Sequence, residues 1–163
     1  PADVMRAMNR AVSGEILQDM FVTMIYAVVD TRTNMLTYAR AGHELFLLLR
    51  RDASGGADVQ MVGAEGMAIG MVPSEIFDAV ISDQTIPFGE NEVFVFYTDG
   101  VTEATNPDGI EFGAGRLGEV VRTLRNHTAS EINAGIVSSV ERFAAASEAE
   151  FADDLTLIAV RHK

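Results

Sequence analysis

Five consecutive residues, Val93 to Tyr97, set the terms on which this chain can fold. All five are apolar, and β-branched and aromatic types dominate. A short unbroken run of this kind reads as a strand buried on both faces, because a half-exposed strand would alternate. The run ends at Thr98-Asp99-Gly100. A carboxylate at the mouth of a buried strand, followed by a glycine that frees the backbone to turn, presents a charge from a rigid base. Taken alone, the Asp-Gly pair reads equally as a plain turn signal.

A second acidic stretch bears on that choice. Near the C-terminus Asp153-Asp154 precede Leu155-Thr156-Leu157-Ile158-Ala159-Val160, so here the carboxylates come first and the apolar strand follows. If the two strands lie antiparallel, the end of one is beside the start of the other, and Asp99 and Asp153 converge at one edge of the sheet. Two carboxylates a few ångströms apart repel and need a cation or a proton between them. With oxygen ligands alone, a hard ion such as magnesium or manganese suits the site. The plainer alternative is that Asp153-Asp154 form a loop or a solvated strand start.

Composition narrows the partners. The net charge of -12 would repel nucleic acid and anionic membrane, so neither is expected as a partner; solubility accounts for such acidity as well. Apolar residues make up 48% of 163 residues, the length and character of one globular domain spanning 1–163. There are no cysteines, which rules out disulfides, thiolate metal sites and cysteine nucleophiles, and fits a reducing, cytoplasmic setting. The longest apolar stretch, Met20 to Val29, is too short to span a bilayer, and Pro1-Ala2-Asp3 lacks the basic start of a signal peptide.

Along the chain, Pro1–Val12 predicts a helix, with Pro at a first helical position and Val4, Met5, Met8 and Val12 on one side. Phe21–Asp30 predicts a central strand, Thr31–Asn34 a turn, and Met35–Ala41 a half-buried strand paired to the first. Leu45–Leu49 and Val59–Val62 read as a further hairpin with a flexible tip at Arg50–Asp58. His43, in the turn before it, is a candidate acid or ligand, or a structural turn residue. The glycine-rich Gly63–Met71 lacks the spacing and lysine of a phosphate loop and reads as close packing of irregular backbone. Phe77–Ile86 alternates and predicts a strand near a sheet edge. Asn106-Pro107-Asp108-Gly109 is a turn. Helices are expected at about Gly115–Asn126 and from Ser130 to about Ala146, the latter with an N-cap within Thr128–Glu131. The pattern is α+β with a mainly antiparallel sheet.

FVTMIYAVVD, YARAGH, GMAIGM, FYTDGVTEATNPDGIEFG and FADDLTLIAVR occur in this order along the chain. Together they resemble the bacterial stress-response and sporulation (RsbU/SpoIIE-type) branch of the metal-dependent, type 2C-like serine/threonine phosphatases, over essentially all 163 residues. The T-D-G-V-T-E-A segment combined with D-D-x-T carries the specificity. The resemblance implies a four-layer αββα fold, an antiparallel β-sandwich flanked by helices. It implies that Asp99 and Asp153 are metal ligands, that Asp154 supports them from behind, and that Gly100 lets the backbone approach. It assigns no catalytic side chain, and it makes His43 a structural turn residue, although Leu45 stands where the family usually has proline.

The implied activity is hydrolysis of a phosphoserine or phosphothreonine on a protein like an anti-sigma-factor antagonist, assisted by two manganese or magnesium ions that activate a water, with no covalent phosphoenzyme. The family's Asp-x-x-Gly-His-Gly motif, which supplies the aspartate bridging two metals, does not occur here. The chain is therefore expected to be an N-terminally truncated, impaired fragment that lacks the fold's first strands and holds at most one ion. Uncovered sheet surface would favour a homodimer or an aggregation-prone monomer. Two rival readings are a non-catalytic phosphatase-like module that binds a phosphoprotein or anti-sigma partner, and a plain interaction domain in which Asp99 and Asp153 are turn residues.

Overall fold

The computed structural model describes residues 1–12, 20–51, 56–144 and 154–162. Its elements run α1 (Ala2–Val12), β1 (Met24–Asp30), β2 (Met35–Ala41), β3 (Phe46–Arg51), β4 (Ala57–Val62), α2 (Ser74–Val80), β5 (Gln84–Pro87), β6 (Val93–Tyr97), α3 (Asp99–Thr102), α4 (Gly113–Thr123), α5 (Ala129–Ala144) and β7 (Leu157–Arg161). All named strand pairs are antiparallel, in sheets ordered β1-β2-β5 and β4-β3-β6-β7. The expected α+β class with antiparallel sheets and helices is what forms. The chain divides into two compact units, Pro1–His43 with Gly63–Gly89, and Glu44–Val62 with Glu90–Lys163.

In the first unit β1 and β2 form the expected hairpin, from Asp30↔Met35 to Met24↔Ala41. Its turn is set by the Asp30 carboxylate, which accepts the N–H groups of Arg32 and Thr33 at 2.9 and 3.3 Å. Hydrogen bonds from Thr33 and Arg32 hold the Asp30 carboxyl below its usual range. The expected ranking of the two strands is reversed. β2, read as half-buried, is the middle strand and buries Leu36, Tyr38, Ala39 and Ala41. β1, read as central, is an edge strand among the described residues and leaves Val28 and Val29 exposed.

Helices α1 and α2 cover β2 through Ala2, Met5 and Phe77, which cluster with Ile81 just after α2 and with Ala39, Ala41 and Ile69. The predicted strand over Phe77–Ile86 is therefore corrected to a helix followed by β5. Phe77 and Ile81 lie four residues apart, a spacing that suits one face of a helix as well as a strand. Pro73 before the helix and Glu75 in its first turn decide for the helix. Asn9 on α1 is fully buried; its Oδ1 accepts the Gly70 N–H at 2.8 Å and its Nδ2 donates to Ser74 Oγ at 3.5 Å. Gly63–Met71 is indeed close-packed backbone: a Cβ on Gly66 would lie 1.7 Å from the Arg40 carbonyl oxygen.

In the second unit β6 pairs with β3 on one side and β7 on the other, so the apolar run is central, as read from the sequence. Val93, Val95 and Tyr97 pack with Leu47 and Leu49 against Leu117, Val121, Ile132, Ile136 and Val140 of α4 and α5. On the opposite face the rings of Phe46, Phe94 and Phe96 cluster in edge-on and tilted contacts, with centroids 4.8–6.3 Å apart. Strands β3 and β4 run further than expected, into the segment read as a hairpin tip; 52–55 lie outside the described residues. The cap of α5 is a reciprocal box. The Thr128 N–H and hydroxyl both donate to Glu131 Oε2, at 2.7 and 2.8 Å, and the Glu131 N–H returns to Thr128 Oγ1 at 3.3 Å.

Candidate functional site

The two sequence motifs meet at one end of the second sheet. The β6–β7 register runs from Val93↔Arg161 to Tyr97↔Leu157, which brings the exit of β6 beside the entry of β7. One step further, the Thr98 N–H donates to the Thr156 carbonyl at 3.2 Å. The Thr98 hydroxyl accepts the Thr156 N–H at 3.0 Å and donates to the Asp154 carbonyl at 3.0 Å. The T-D-G and D-D-x-T segments are thus tied together through Thr98, Asp154 and Thr156. The strand expected after Asp153-Asp154 has the right direction but starts later, because 154–156 form a connecting segment before β7 begins.

Asp99 stands at the mouth of buried β6, exposed, with Oδ1 accepting the Gly100 N–H at 3.0 Å. The expected turn is the start of the one-turn helix α3, where an aspartate also suits the helix dipole. Gly100 is buried and does not adopt a left-handed backbone, so its freedom to turn is not what places it there. Asp154 is exposed, with its carbonyl held by Thr98. Asp153 lies outside the described residues. Among the described residues no three His, Cys, Asp or Glu side chains gather closely enough to hold a metal ion.

Of the two expected ligands Asp99 is the one described, and its chemistry, though not yet a ligand set, suits a hard cation. Asp99 offers carboxylate oxygens from a rigid strand end, within reach of solvent, and the chain has no thiol to favour a softer ion. Beneath the site Tyr97 is buried, and its hydroxyl has no partner among the described residues. Burial, with a smaller contribution from the Glu44 carboxylate, pushes its phenol up to about 12. Tyr97 is thus neutral and adds no charge near Asp99.

His43 is half-buried in the first unit. Its Nδ1 lies 3.2 Å from Thr23 Oγ1, and its carbonyl accepts from the Arg40 side chain. These contacts tie a turn together, in keeping with a structural role. Thr98 is the residue that sequence reasoning passed over. Its position before Asp-Gly is visible in the sequence, where it reads only as the end of the strand.

Comparison with known proteins matches the same span. The family model of Stage II sporulation protein E (SpoIIE) covers residues 1–163. Phosphoserine phosphatase RsbU of Bacillus subtilis is 26% identical over 163 residues, all of this chain and 45% of that protein. The chain therefore spans less than half the length of that curated relative. The fold is shared with the SiaA-PP2C domain of Pseudomonas aeruginosa, at TM-score 0.77 and 22% identity, over 100% of this chain and 61% of that one. It is shared also with the PP2C phosphatase domain of SpoIIE from Bacillus subtilis, solved with a fragment of its regulatory domain, at TM-score 0.75 and 16% identity, over 96% and 42%. With a whole-chain family match and the T-D-G and D-D-x-T segments joined at one sheet end, the chain belongs to the SpoIIE family, within the RsbU/SpoIIE-type branch of the type 2C-like phosphatases.

Proposed function

We propose that the protein is a metal-dependent serine/threonine protein phosphatase, with 1–163 as a single phosphatase domain. The observation that carries this reading is the β6–β7 register, with Thr98 bonded to Asp154 and Thr156 at the end where Asp99 emerges. Asp99 and Asp153 act as cation ligands. Asp154 supports them from behind, and buried Gly100 fixes one Asp99 oxygen through its N–H. Manganese or magnesium is the cofactor; related structures include a SpoIIE phosphatase domain presoaked with manganese and RsbX in complex with magnesium. Such an ion, when bound, lowers the pKa of water and offsets charge on the phosphoryl oxygens. Water adds to phosphorus, the bond from phosphorus to the side-chain oxygen breaks, and the serine or threonine leaves with a proton.

The substrate class we infer is a phosphoserine or phosphothreonine on a protein like an anti-sigma-factor antagonist. Supporting it are the phosphoserine phosphatase activity for which RsbU is named and a similar Mycobacterium tuberculosis structure that holds RsbU and RsbW domains in one protein. The reading places the protein in the cytoplasm; no helix among the described residues is long and apolar enough to cross a membrane. It includes pairing of two copies through exposed sheet surface such as that of β1.

The test is phosphate release from a phosphoserine protein by the full-length protein, with and without manganese. Turnover should require the metal and fall at least about 100-fold in Asp99→Asn. Metal-independent turnover, or an unaffected Asp99→Asn, would overturn the reading. Residues 1–163 alone should turn over poorly. Asp99 and Asp153 can share one ion but do not fix two ions about 3.5–4 Å apart without a bridging carboxylate. Robust turnover by that stretch alone contradicts this part.

A further inference from the structure

A cavity of about 280 Å³ opens at the end of the second sheet where β6 begins, between Ala57 at the start of β4, Asn91, and the α4–α5 turn at Arg125-Asn126. The whole length of β6 lies between this cavity and Asp99, about 16 Å at roughly 3.3 Å per residue. The chain carries a net charge of -12, yet every described residue lining the cavity is neutral or basic. The charge of Arg50 on the wall is met by Glu92, with Nε 2.9 Å from Oε1. Arg125 and Asn126 are exposed, and no described residue bonds or pairs with either side chain. Asn91 has a left-handed backbone at φ 65°, which asparagine tolerates better than most residues. Arg161 stands behind both walls. Its guanidinium donates to the carbonyls of Arg125 and His127 at 2.9 and 2.5 Å, and to Asn91 Oδ1 at 3.5 Å. These partners are neutral, so the Arg161 charge is not cancelled, and the Asn91 amide nitrogen stays available as a donor.

We propose that this cavity binds a phosphate group, held by the Arg125 guanidinium and the Asn126 and Asn91 amides, with the Arg161 charge behind them. A guanidinium matches paired anionic oxygens, and a charge-assisted hydrogen bond is about twice as strong as a neutral one. The amides add donors, and no carboxylate on the described wall opposes the anion. A cleft lined by one sign of charge also concentrates the opposite ion, which the rest of so acidic a chain repels. The volume falls just below the roughly 300–1,000 Å³ of pockets that take drug-sized ligands. The ligand is therefore small: free phosphate, or the phosphoryl end of a monoester. The site needs no metal, lies apart from Asp99, and does not rest on the phosphatase reading above.

The test is isothermal titration of the full-length protein with inorganic phosphate, and in a second arm with O-phosphoserine. EDTA is present throughout, so that no metal at the Asp99 end can hold the anion. Saturable binding is expected, weakened about tenfold or more in Arg125→Gln and about threefold or more in Asn126→Ala. Arg142→Gln removes the same charge from an exposed position on α5 and should leave the Kd unchanged. Tighter binding of phosphate assigns the cavity to the free ion, and tighter binding of phosphoserine assigns it to a monoester; either supports the proposal. Should Arg125→Gln fold poorly, Asn126→Ala carries the same test. Absence of saturable binding, full affinity in Arg125→Gln, or equal weakening in Arg142→Gln overturns the proposal.

Discussion

The two compact units solve the same problem, covering one face of an antiparallel sheet with helices, by different means. In the second unit α4 and α5 cover β3 and β6 with aliphatic side chains, and the cluster around Val93, Val95, Leu117, Val121 and Ile136 is apolar except for the Tyr97 hydroxyl. In the first unit the apolar cluster is smaller, and α1 is joined to α2 and the Gly63–Met71 segment by a buried amide, Asn9. That segment also lies so close to β2 that Gly66 has no room for a side chain. Apolar packing absorbs small changes of shape, whereas a buried polar link and a backbone-to-backbone approach do not. The unit that carries Asp99 is thus the more tolerant one, a rigid base whose strand end can be specialised.

Single substitutions should expose the contrast. The largest effect is expected from Gly66→Ala, since its Cβ would fall 1.7 Å from a backbone oxygen of the middle strand. A loss above about 4 kcal/mol in chemical denaturation, or failure to fold, is expected. A loss near that of an ordinary surface change would show that the segment can give way. Asn9→Ala empties a fully buried position, leaves the part-buried Gly70 N–H without its partner and should cost about 2 kcal/mol. A neutral result would mean that the amide link is replaceable by packing.

In the second unit the clearest polar liability is Tyr97. Its folded pKa of about 12 lies above the unfolded value near 10, so the unfolded chain loses its proton first as pH rises. Stability should therefore be unaffected by this group below about pH 10 and fall through pH 10–12, by at most about 1.4 kcal/mol per pH unit. Tyr97→Phe should remove that slope; an unchanged slope would assign it elsewhere. The smallest effect has the opposite sign. Gly115 lies in α4, and a Cβ added there would meet nothing within 4 Å, so Gly115→Ala should stabilise by roughly 0.5–1 kcal/mol in the same denaturation assay. A loss of stability there would show that the helix surface is less open than its geometry implies.

Much of this was legible in the letters. The unbroken Val93–Tyr97 run pointed to a central strand, because only burial on both faces tolerates such a run. The Thr128–Glu131 box and the turn at Asn106–Gly109 were readable because their bonds are local: Asn106 Oδ1 accepts from Asp108 and Ile110 at 3.1 and 2.9 Å. The failures were those in which a local pattern has two meanings. Phe77 and Ile81 satisfy a strand's alternation and a helix's turn equally. β1 is as apolar as a central strand, yet its neighbours along the chain do not reveal that it is an edge. At the site, both acidic motifs could be read, but Thr98 could not. Its hydroxyl bonds residues 56 and 58 positions away, and nothing local distinguishes that use from a plain strand end.

The most direct test is a crystal of the full-length protein soaked in manganese and measured at the metal's absorption edge. An anomalous peak within bonding distance of both the Asp99 and the Asp153 carboxylates is the predicted result. Strong peaks that touch neither residue, or coordinates that hold those two carboxylates at separate ends of the molecule, would contradict it.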